Sequence, residues 1–303
     1  LVDLLPNAFV QDQLTLVEDR LFFTVGTKLE HNSFTGFEIQ PSARMLWTPN
    51  RKHSMWGAIS RAVRTPCRFD QNGYLTGQLM GFYPIGPDIY PVFPRVLGDP
   101  TLDSENVIAY ELGYRVQATE RFAWDLALFY NVYDSLDTIR DGSYEIFDDY
   151  IAYRQIFATL MRGESYGVEL SAQYTVSDAW RLSCVYTFLR MNMHTMPGGI
   201  VLQEWLVEGG DPHNQVYLRS SWDLTSRLQF DINARYVDYL RTGDVPNYIT
   251  MDARIGWMAR KNLELSVVGQ NLLANGHREY GSDIFANVTG VPTGVFAKLT
   301  WWR

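Results

Sequence analysis

The sequence predicts an all-β chain that forms a transmembrane β-barrel of antiparallel, up-and-down strands. Apolar and polar residues alternate with a period of two over segments of ten or more residues. Short and long connections also alternate along the chain, and aromatic residues lie at the segment ends. No window approaches the roughly 18 uninterrupted apolar residues of a membrane-spanning helix, which excludes a helical membrane protein.

The composition excludes two further classes of protein. The chain has 303 residues, of which 46% are apolar and 20% charged, and this balance does not fit a disordered protein. Its net charge of −8 argues against a nucleic-acid partner. The five histidines do not lie at metal-ligand spacing from one another, so we expect no resident metal or cofactor.

About 13 segments can be identified in order from their alternation. In residues 106–116, for example, Tyr110 and Leu112 alternate with Glu111 and Gly113, as expected for a strand with one apolar and one polar face. The same division recurs in 166–174, 180–188, 228–236 and 249–257. The segments begin near residues 7, 19, 38, 53, 106, 121, 151, 180, 213, 227, 246, 262 and 292.

The connections between these segments are of two kinds. Short polar turns, such as 49–52, 118–120 and 224–226, alternate with longer links. Short turns at one rim and long loops at the other are typical of an outer-membrane barrel. We therefore expect long extracellular loops at about 64–104, 134–150, 191–212 and 275–291.

A soluble sandwich or propeller is the alternative all-β fold. Its strands usually contain about five or six residues, whereas many segments here alternate for ten or more, enough to cross a bilayer when tilted. Tryptophans also lie near the short turns, as an interfacial aromatic girdle requires. They are Trp47, Trp124, Trp180, Trp222, Trp257 and Trp301.

Charge is distributed unevenly between the expected wall and the expected loops. The polar face of the strands carries balanced charges, which favours a hydrated wall or a set of contacts for an internal domain over a catalytic arrangement. The acidic excess lies in residues 134–149 and 204–211. The balanced set is Glu111, Asp125, Glu169, Asp231, Asp252 and Glu264 against Arg115, Arg181, Arg219, Arg235, Arg254 and Lys298.

Several stretches, taken together in this order and spacing, resemble the C-terminal part of TonB-dependent receptors, the gated outer-membrane transporters of Gram-negative bacteria. The resemblance extends over nearly the whole chain. The stretches are Phe9-Val10-Gln11-Asp12, Gln40-Pro41-Ser42-Ala43-Arg44, Ser60-Arg61-Ala62-Val63-Arg64-Thr65-Pro66, Glu111-Leu112-Gly113-Tyr114-Arg115, Leu128-Phe129-Tyr130-Asn131, Tyr166-Gly167-Val168-Glu169-Leu170 and Gly269-Gln270-Asn271-Leu272-Leu273.

The resemblance implies a barrel of about 22 strands with a plugged lumen, of which residues 1–303 would supply the last 13 strands. A signal peptide, a TonB-contacting segment, the plug domain and about nine strands would then be missing, so we expect a fragment or a truncated gene product. Members of the family usually end on an aromatic residue that the barrel-assembly machinery reads. Here Arg303 follows Trp301-Trp302, which puts assembly competence in doubt.

The resemblance also implies a function and partners. The intact protein would bind a scarce nutrient, such as a siderophore–metal chelate, haem or cobalamin, and import it to the periplasm with energy from the TonB complex. The TonB complex would act through the missing N-terminal region. The other implied partners are the lipid bilayer, lipopolysaccharide and the barrel-assembly machinery.

Candidate ligand contacts lie in two of the long loops. In loop 64–104, Arg68, Tyr83, Tyr90 and Phe93 lie among prolines and glycines, and rigid aromatic side chains suit a metal chelate or a corrinoid. The alternative is that this loop packs on itself and its neighbours. In loop 191–212, His194 and Trp205 lie near three methionines, a combination that also suits haem or copper.

One motif suggests enzymatic activity. Gly163-Glu164-Ser165-Tyr166-Gly167 matches the G-x-S-x-G elbow of serine hydrolases, but that elbow requires a helix after the serine and the pattern here predicts a strand. We therefore assign no catalytic residue and expect a protein that is not an enzyme.

A passive porin-like channel and an outer-membrane hydrolase remain as alternative functions. The presence of a plug sequence upstream would distinguish the receptor from the channel.

Overall fold

A computed structural model describes residues 5–140, 142–273, 276–281 and 288–302. Parts of the predicted loop 275–291, Asp141 and Arg303 lie outside the described residues. The elements in chain order are β1 (Asn7–Val17), β2 (Leu21–Asn32), β3 (Gly36–Asn50), β4 (His53–Arg64), α1 (Arg68–Asn72), β5 (Tyr74–Thr76), β6 (Gly81–Ile85), β7 (Asp88–Leu97), β8 (Glu105–Thr119), β9 (Phe122–Arg140), β10 (Tyr144–Ile146), β11 (Ile151–Ser177), β12 (Trp180–Thr195), α2 (Leu202–Gly209), β13 (Asn214–Asp223), β14 (Leu228–Val237), β15 (Tyr248–Arg260), β16 (Leu263–Gln270), β17 (His277–Arg278), β18 (Gly290–Val291) and β19 (Gly294–Trp301).

Thirteen of these strands form one antiparallel wall in which each strand pairs with the next along the chain. The prediction of about 13 up-and-down strands is confirmed. Each strand begins within two residues of its expected position, because local alternation determines where a strand starts. The wall strands are β1, β2, β3, β4, β8, β9, β11, β12, β13, β14, β15, β16 and β19.

The two faces of the wall follow the predicted alternation. We use the term outer face for the apolar face, which carries large exposed side chains such as Tyr110, Leu112 and Leu128. At the end of the wall with the short turns, the short-turn end, tryptophans pair across strands. Trp180 stacks on Trp222 with ring centroids 5.9 Å apart, and Trp222 stacks on Phe230 at 5.4 Å. This arrangement is the expected aromatic girdle.

The opposite end, the long-loop end, differs from the prediction in its details. Strands β9 and β12 continue to Arg140 and Thr195, so the connections at 134–150 and 191–212 begin later than expected. The segment between β4 and β8 contains a helix and three strands, and the link before β13 contains α2. Neither described helix is long and apolar enough to cross a membrane.

The buried core lies at the long-loop end. The most buried apolar side chains of the described residues include Ile151, Ala152, Ala158, Met161 and Met193, which belong to β11 and β12. The rest of the wall is a single layer, whose outer side chains are exposed in the isolated chain. The packing at the long-loop end therefore fixes the position of the loops relative to the wall.

The two edges of the wall are open in the described part of the chain. Strand β1 pairs with β2 on one side, and β19 pairs with β16 on one side. All residues of β1 are exposed. The described wall strands thus form a sheet whose two edges carry unpaired backbone groups.

Candidate ligand-binding site

The segment between β4 and β8 crosses the long-loop end and pairs with a distant strand. Residues Val92 to Leu97 of β7 run parallel to Ile151–Ile156 of β11. Ile156 has Leu97 as one partner and Arg140 of β9 as the other, so β7 lies on the edge of β11 that faces away from β9. Further down, this same edge pairs with β12. The segment therefore passes over the ends of β8, β9 and β11.

Two more strands complete this small sheet. Strand β6 forms a hairpin with β7, and β5 pairs with the C-terminal half of β7. Gly86 has a φ of +61° in the hairpin turn, a conformation that favours glycine. The hairpin carries exposed apolar side chains at its tip, notably Phe82, Tyr83 and Ile89. A long loop is thus held as an ordered hairpin that presents aromatic surface.

Arg95 anchors this hairpin to the connection between β9 and β11. Its Nη2 donates to the hydroxyl of Tyr150 at 2.7 Å, and its Nη1 lies 3.3 Å from Oε2 of Glu145. The guanidinium also lies over the rings of Phe147, Tyr150 and Tyr74, at 4.9, 5.7 and 5.3 Å from the centroids. Arg95 is 8% exposed, so aromatic faces and one carboxylate take the place of water around its charge.

The structure brings three of the six sequence-predicted contact residues together. Tyr83 and Tyr90 face each other across the β6–β7 hairpin. Tyr83 is exposed, whereas Phe93 packs edge-on against Tyr150 at 6.1 Å. Arg68 lies at the start of α1 and is exposed. Phe93 therefore packs on a neighbouring connection, as the alternative prediction for this loop states. The side chain of Tyr83 remains accessible to a ligand.

The other two predicted residues lie elsewhere. His194 is in β12, opposite Arg162 of β11, and is exposed on the outer face. Trp205 belongs to α2 and is 46% exposed. Met193 is buried, so it does not form an exposed group with His194. Among the described residues no three His, Cys, Asp or Glu side chains are grouped as metal ligands.

Arg95, Tyr150 and Phe147 were not predicted from the sequence as site residues. A single basic residue within the apolar stretch 92–97 was the available signal for Arg95. Its partners are contributed by a different connection, and only the pairing of β7 with β11 brings them near.

A second polar cluster lies at the long-loop end of the wall. It is formed by β4, β8 and β9, closer to the long loops than Tyr110 and Tyr130 are. Arg64 donates to Glu105 at 2.5 and 2.7 Å and to Asp137 at 2.6 Å. Burial raises the pKa of Asp137 to about 6, Glu105 adds to the shift, and Arg64 opposes it. Because folding raises this pKa, the contribution of Asp137 to stability is fully present below its unfolded pKa and is lost as the pH rises through about 6.

The inner face near the short-turn end carries the predicted charges as ion pairs. Asp231 lies 3.2 Å from Arg219 and 3.0 Å from Arg254, which also pairs with Glu264. Arg115 lies 2.6 Å from Asp125. A cavity of about 390 Å³ opens among the residues near Asp231. The predicted inner charges thus form ion pairs between neighbouring strands.

The G-x-S-x-G stretch lies inside β11. Ser165 is 2% exposed, and its hydroxyl is within hydrogen-bond distance of Asn131 (3.0 Å) and Tyr133 (3.1 Å). The strand continues after Ser165 to Ser177, so the turn and helix of a nucleophile elbow do not follow it.

This fold was compared with protein-family models, curated proteins and solved structures. The family model described as "TonB dependent receptor-like, beta-barrel" matches residues 5–272. A search of curated proteins finds no match.

Several solved structures share the fold. A mutant of the ferric enterobactin receptor PfeA of Pseudomonas aeruginosa, in complex with enterobactin, has a TM-score of 0.73 at 16% identity, over 98% of this chain and 45% of that one. The siderophore receptor PirA of Pseudomonas aeruginosa has 0.70 at 17%, over 99% and 48%. The ferric-catecholate import receptor Fiu of E. coli K12 has 0.68 at 13%, over 98% and 44%. The chain thus spans less than half the length of these structures.

Proposed function

The chain belongs to the family of TonB-dependent receptor-like β-barrels, and on this premise we propose that it is the ligand-capturing barrel portion of an outer-membrane transporter. The transporter would bind a scarce metal chelate at the long-loop end and import it with energy from the TonB complex. Membership of the family is the observation that carries this proposal. In this placement the long-loop end faces the cell exterior, and the short-turn end faces the periplasm.

We propose a ferric siderophore with aromatic iron-chelating groups as the substrate class. Two of the solved receptors with this fold are described as receptors for ferric enterobactin or ferric catecholates. In this chain the β6–β7 hairpin presents Phe82 and Tyr83, which are 65% and 58% exposed. Flat aromatic surfaces of this kind suit stacking with the aromatic rings of such a chelate.

The hairpin is supported well enough to act as a binding surface. Strand β7 is held on β11 by a parallel ladder and on β5 by an antiparallel one. Arg95 fastens the same strand to Tyr150. A preorganised loop pays less conformational entropy on binding than a free loop of equal length, which favours capture at low concentration.

The proposal is tested by changing the exposed aromatics of the hairpin in the full-length protein. The double variant Phe82→Ser/Tyr83→Ser should weaken binding of ferric enterobactin about tenfold to a hundredfold, because each stacked ring contributes roughly 1 kcal/mol. Binding is measured by quenching of intrinsic fluorescence on titration with the ferric chelate. Uptake of radioactive iron should fall in parallel and should stop when the proton-motive force is dissipated.

Phe37→Ser provides the matched control. Phe37 is an exposed aromatic of β3 at the same end of the wall, and it packs against His31 rather than on the hairpin. Its replacement should leave chelate binding unchanged. Equal affinity of the hairpin variant and the parent would reject the hairpin as the binding surface. Uptake that persists without a proton-motive force would instead support the passive-channel alternative.

A further inference from the structure

The two ends of the segment that crosses the long-loop end, residues 65–104, meet at one cluster of charges. Arg64 is the last residue of β4 and Glu105 is the first residue of β8, and the two are directly opposite in the ladder. The guanidinium of Arg64 donates to both carboxylate oxygens of Glu105, at 2.5 and 2.7 Å. The backbone amide of Asp137 in β9 donates to the same carboxylate at 2.9 Å. We call Arg64, Glu105 and Asp137 the neck cluster.

Helix α1 and the end of the crossing segment pack closely together. The amide of Asp99 donates to the carbonyl of Asp70 at 2.9 Å, and the amide of Gly98 donates to the carbonyl of Gly73 at 2.8 Å. A Cβ built at position 98 would collide with the backbone of Gln71 in α1. Strand β5 follows α1 directly and pairs with the C-terminal half of β7. A shift of α1 therefore moves both ends of the crossing segment together.

Asp137 is the member of the neck cluster whose surroundings disfavour a negative charge. Its side chain is only 15% exposed. Its Oδ2 accepts from Nη2 of Arg64 at 2.6 Å, whereas its Oδ1 is buried and has no hydrogen-bond partner among the described residues. A buried carboxylate oxygen without a donor is costly in the charged form, and a proton removes that cost.

Charged groups face Asp137 from three of the elements around it. Strand β4 contributes the cation of Arg64, β8 contributes the anion of Glu105, and α1 contributes the anion of Asp70. One cation thus faces three carboxylates when all of them are charged. On β11, the residues paired with this part of β9 are uncharged. They are Phe157, Ala158 and Met161.

These surroundings determine how the cluster responds to pH. Burial raises the pKa of Asp137 from 3.8 to about 6, Glu105 and Asp70 add to the shift, and Arg64 opposes it. When the cluster opens to water the carboxyl regains its ordinary pKa, so closure takes up a proton. The stabilisation of the closed cluster is fully present below the ordinary pKa and is lost as the pH rises through about 6. The ratio of closed to open cluster should therefore be about tenfold larger at pH 5 than at pH 7.5.

We propose that Asp137 is a positioning residue that holds the base of the crossing segment in a proton-dependent manner. With Asp137 protonated, α1 and the base of the segment are held against β9. With Asp137 charged, repulsion by Glu105 and Asp70 loosens that base. The inference rests on the proposed function in one respect: the long-loop end faces the cell exterior there, so the external pH sets how firmly the base of the hairpin is held.

The test measures amide hydrogen exchange of the full-length protein in detergent, with each rate divided by the intrinsic exchange rate at the same pH. Protection of 65–73 and 98–105 in the parent should be about tenfold greater at pH 5 than at pH 7.5. Asp137→Asn cannot titrate and should remove this difference. Asp178→Asn changes a fully exposed aspartate at a short turn, and this matched control should keep the difference.

Arg64→Gln distinguishes a proton-dependent role from a purely structural one. Because Arg64 opposes the rise of the Asp137 pKa, its loss should move the midpoint of the protection profile to higher pH. Arg121→Gln removes an arginine of nearly equal side-chain exposure, 58% against 57%, at a short turn and should leave the midpoint in place. If Arg64→Gln does not assemble, the comparison of the parent with Asp137→Asn still decides.

Two results would overturn the proposal. One is protection of 65–73 and 98–105 that does not depend on pH in the parent, and the other is an unchanged pH dependence in Asp137→Asn. Ferric enterobactin binding is measured on the same samples. Proton-dependent protection without chelate binding contradicts only the proposed function, whereas chelate binding with pH-independent protection contradicts only the role of Asp137.

Discussion

Arg95 is the residue that determines how the hairpin is held. A buried guanidinium loses its hydration, and the loss must be offset by hydrogen bonds and by the faces of aromatic rings. Tyr150, Phe147 and Tyr74 provide those faces, and Glu145 provides an opposite charge at the cluster's edge. The Nε of Arg95 is buried and has no hydrogen-bond partner among the described residues. The cluster is therefore sensitive to the loss of any one ring.

Arg95→Met should release the hairpin without unfolding the wall. The substitution keeps the apolar part of the side chain but removes a charged hydrogen bond and the ring contacts, together worth about 2–4 kcal/mol. We expect amide hydrogen exchange to accelerate at least tenfold in 88–97 and 144–153. Exchange in β13 to β16 should not change. Arg227→Met, at an exposed short turn, is the control, and equal exchange in both variants would contradict the anchoring role.

At the scale of elements, the pairing of β4 with β8 depends on a close contact between a glycine and an indole. Trp56 is directly opposite Gly113, and a Cβ built at position 113 would collide with the indole ring. The ring thus lies over the backbone of the neighbouring strand, where only glycine leaves space. Gly113 is buried on the inner face by this contact.

Gly113→Ala should destabilise the wall by about 1–3 kcal/mol, because the indole must rotate away from its position. The thermal midpoint, followed by the heat-dependent mobility of the full-length protein in gel electrophoresis, should fall by several degrees. Gly294→Ala is a matched change in wall strand β19, where an added Cβ meets no atom within 4 Å. An unchanged midpoint for Gly113→Ala would show that the indole is not fixed there.

The elements differ in how far the sequence alone predicts them. The wall strands were predicted within two residues because alternation and turn residues are local signals. The structure of 65–104 was not, because β7 is held by Ile151–Ile156, which are distant in sequence. Tyr83 and Tyr90 were identified as aromatics of a long loop, whereas Arg95 acquires its environment from Phe147 and Tyr150 on another connection.

At the scale of the whole molecule, the described sheet is open along β1 and β19. An unpaired edge exposes backbone donors and acceptors, and in an apolar medium each unsatisfied group costs several kcal/mol. The solved receptors with this fold have chains about twice as long. In an apolar medium, the edges of β1 and β19 therefore need further strands to pair with.

The 303 residues expressed alone and refolded in detergent should self-associate through these edges. Light scattering coupled to size exclusion should report dimers or larger species. Lysines placed in β1 by Val10→Lys/Leu14→Lys should reduce the association, because edge charges oppose strand pairing. A monodisperse monomer of the unmodified chain would show that the edge strands do not pair between molecules.

The parallel pairing of β7 with β11 also has a consequence for the order of folding. Strand β7 precedes β8, β9 and β11 in the chain, and it pairs with the edge of β11 that faces away from β9. Loop closure over this distance costs entropy that neighbouring antiparallel strands do not pay. We therefore expect the crossing hairpin to dock after the neighbouring antiparallel strands have paired.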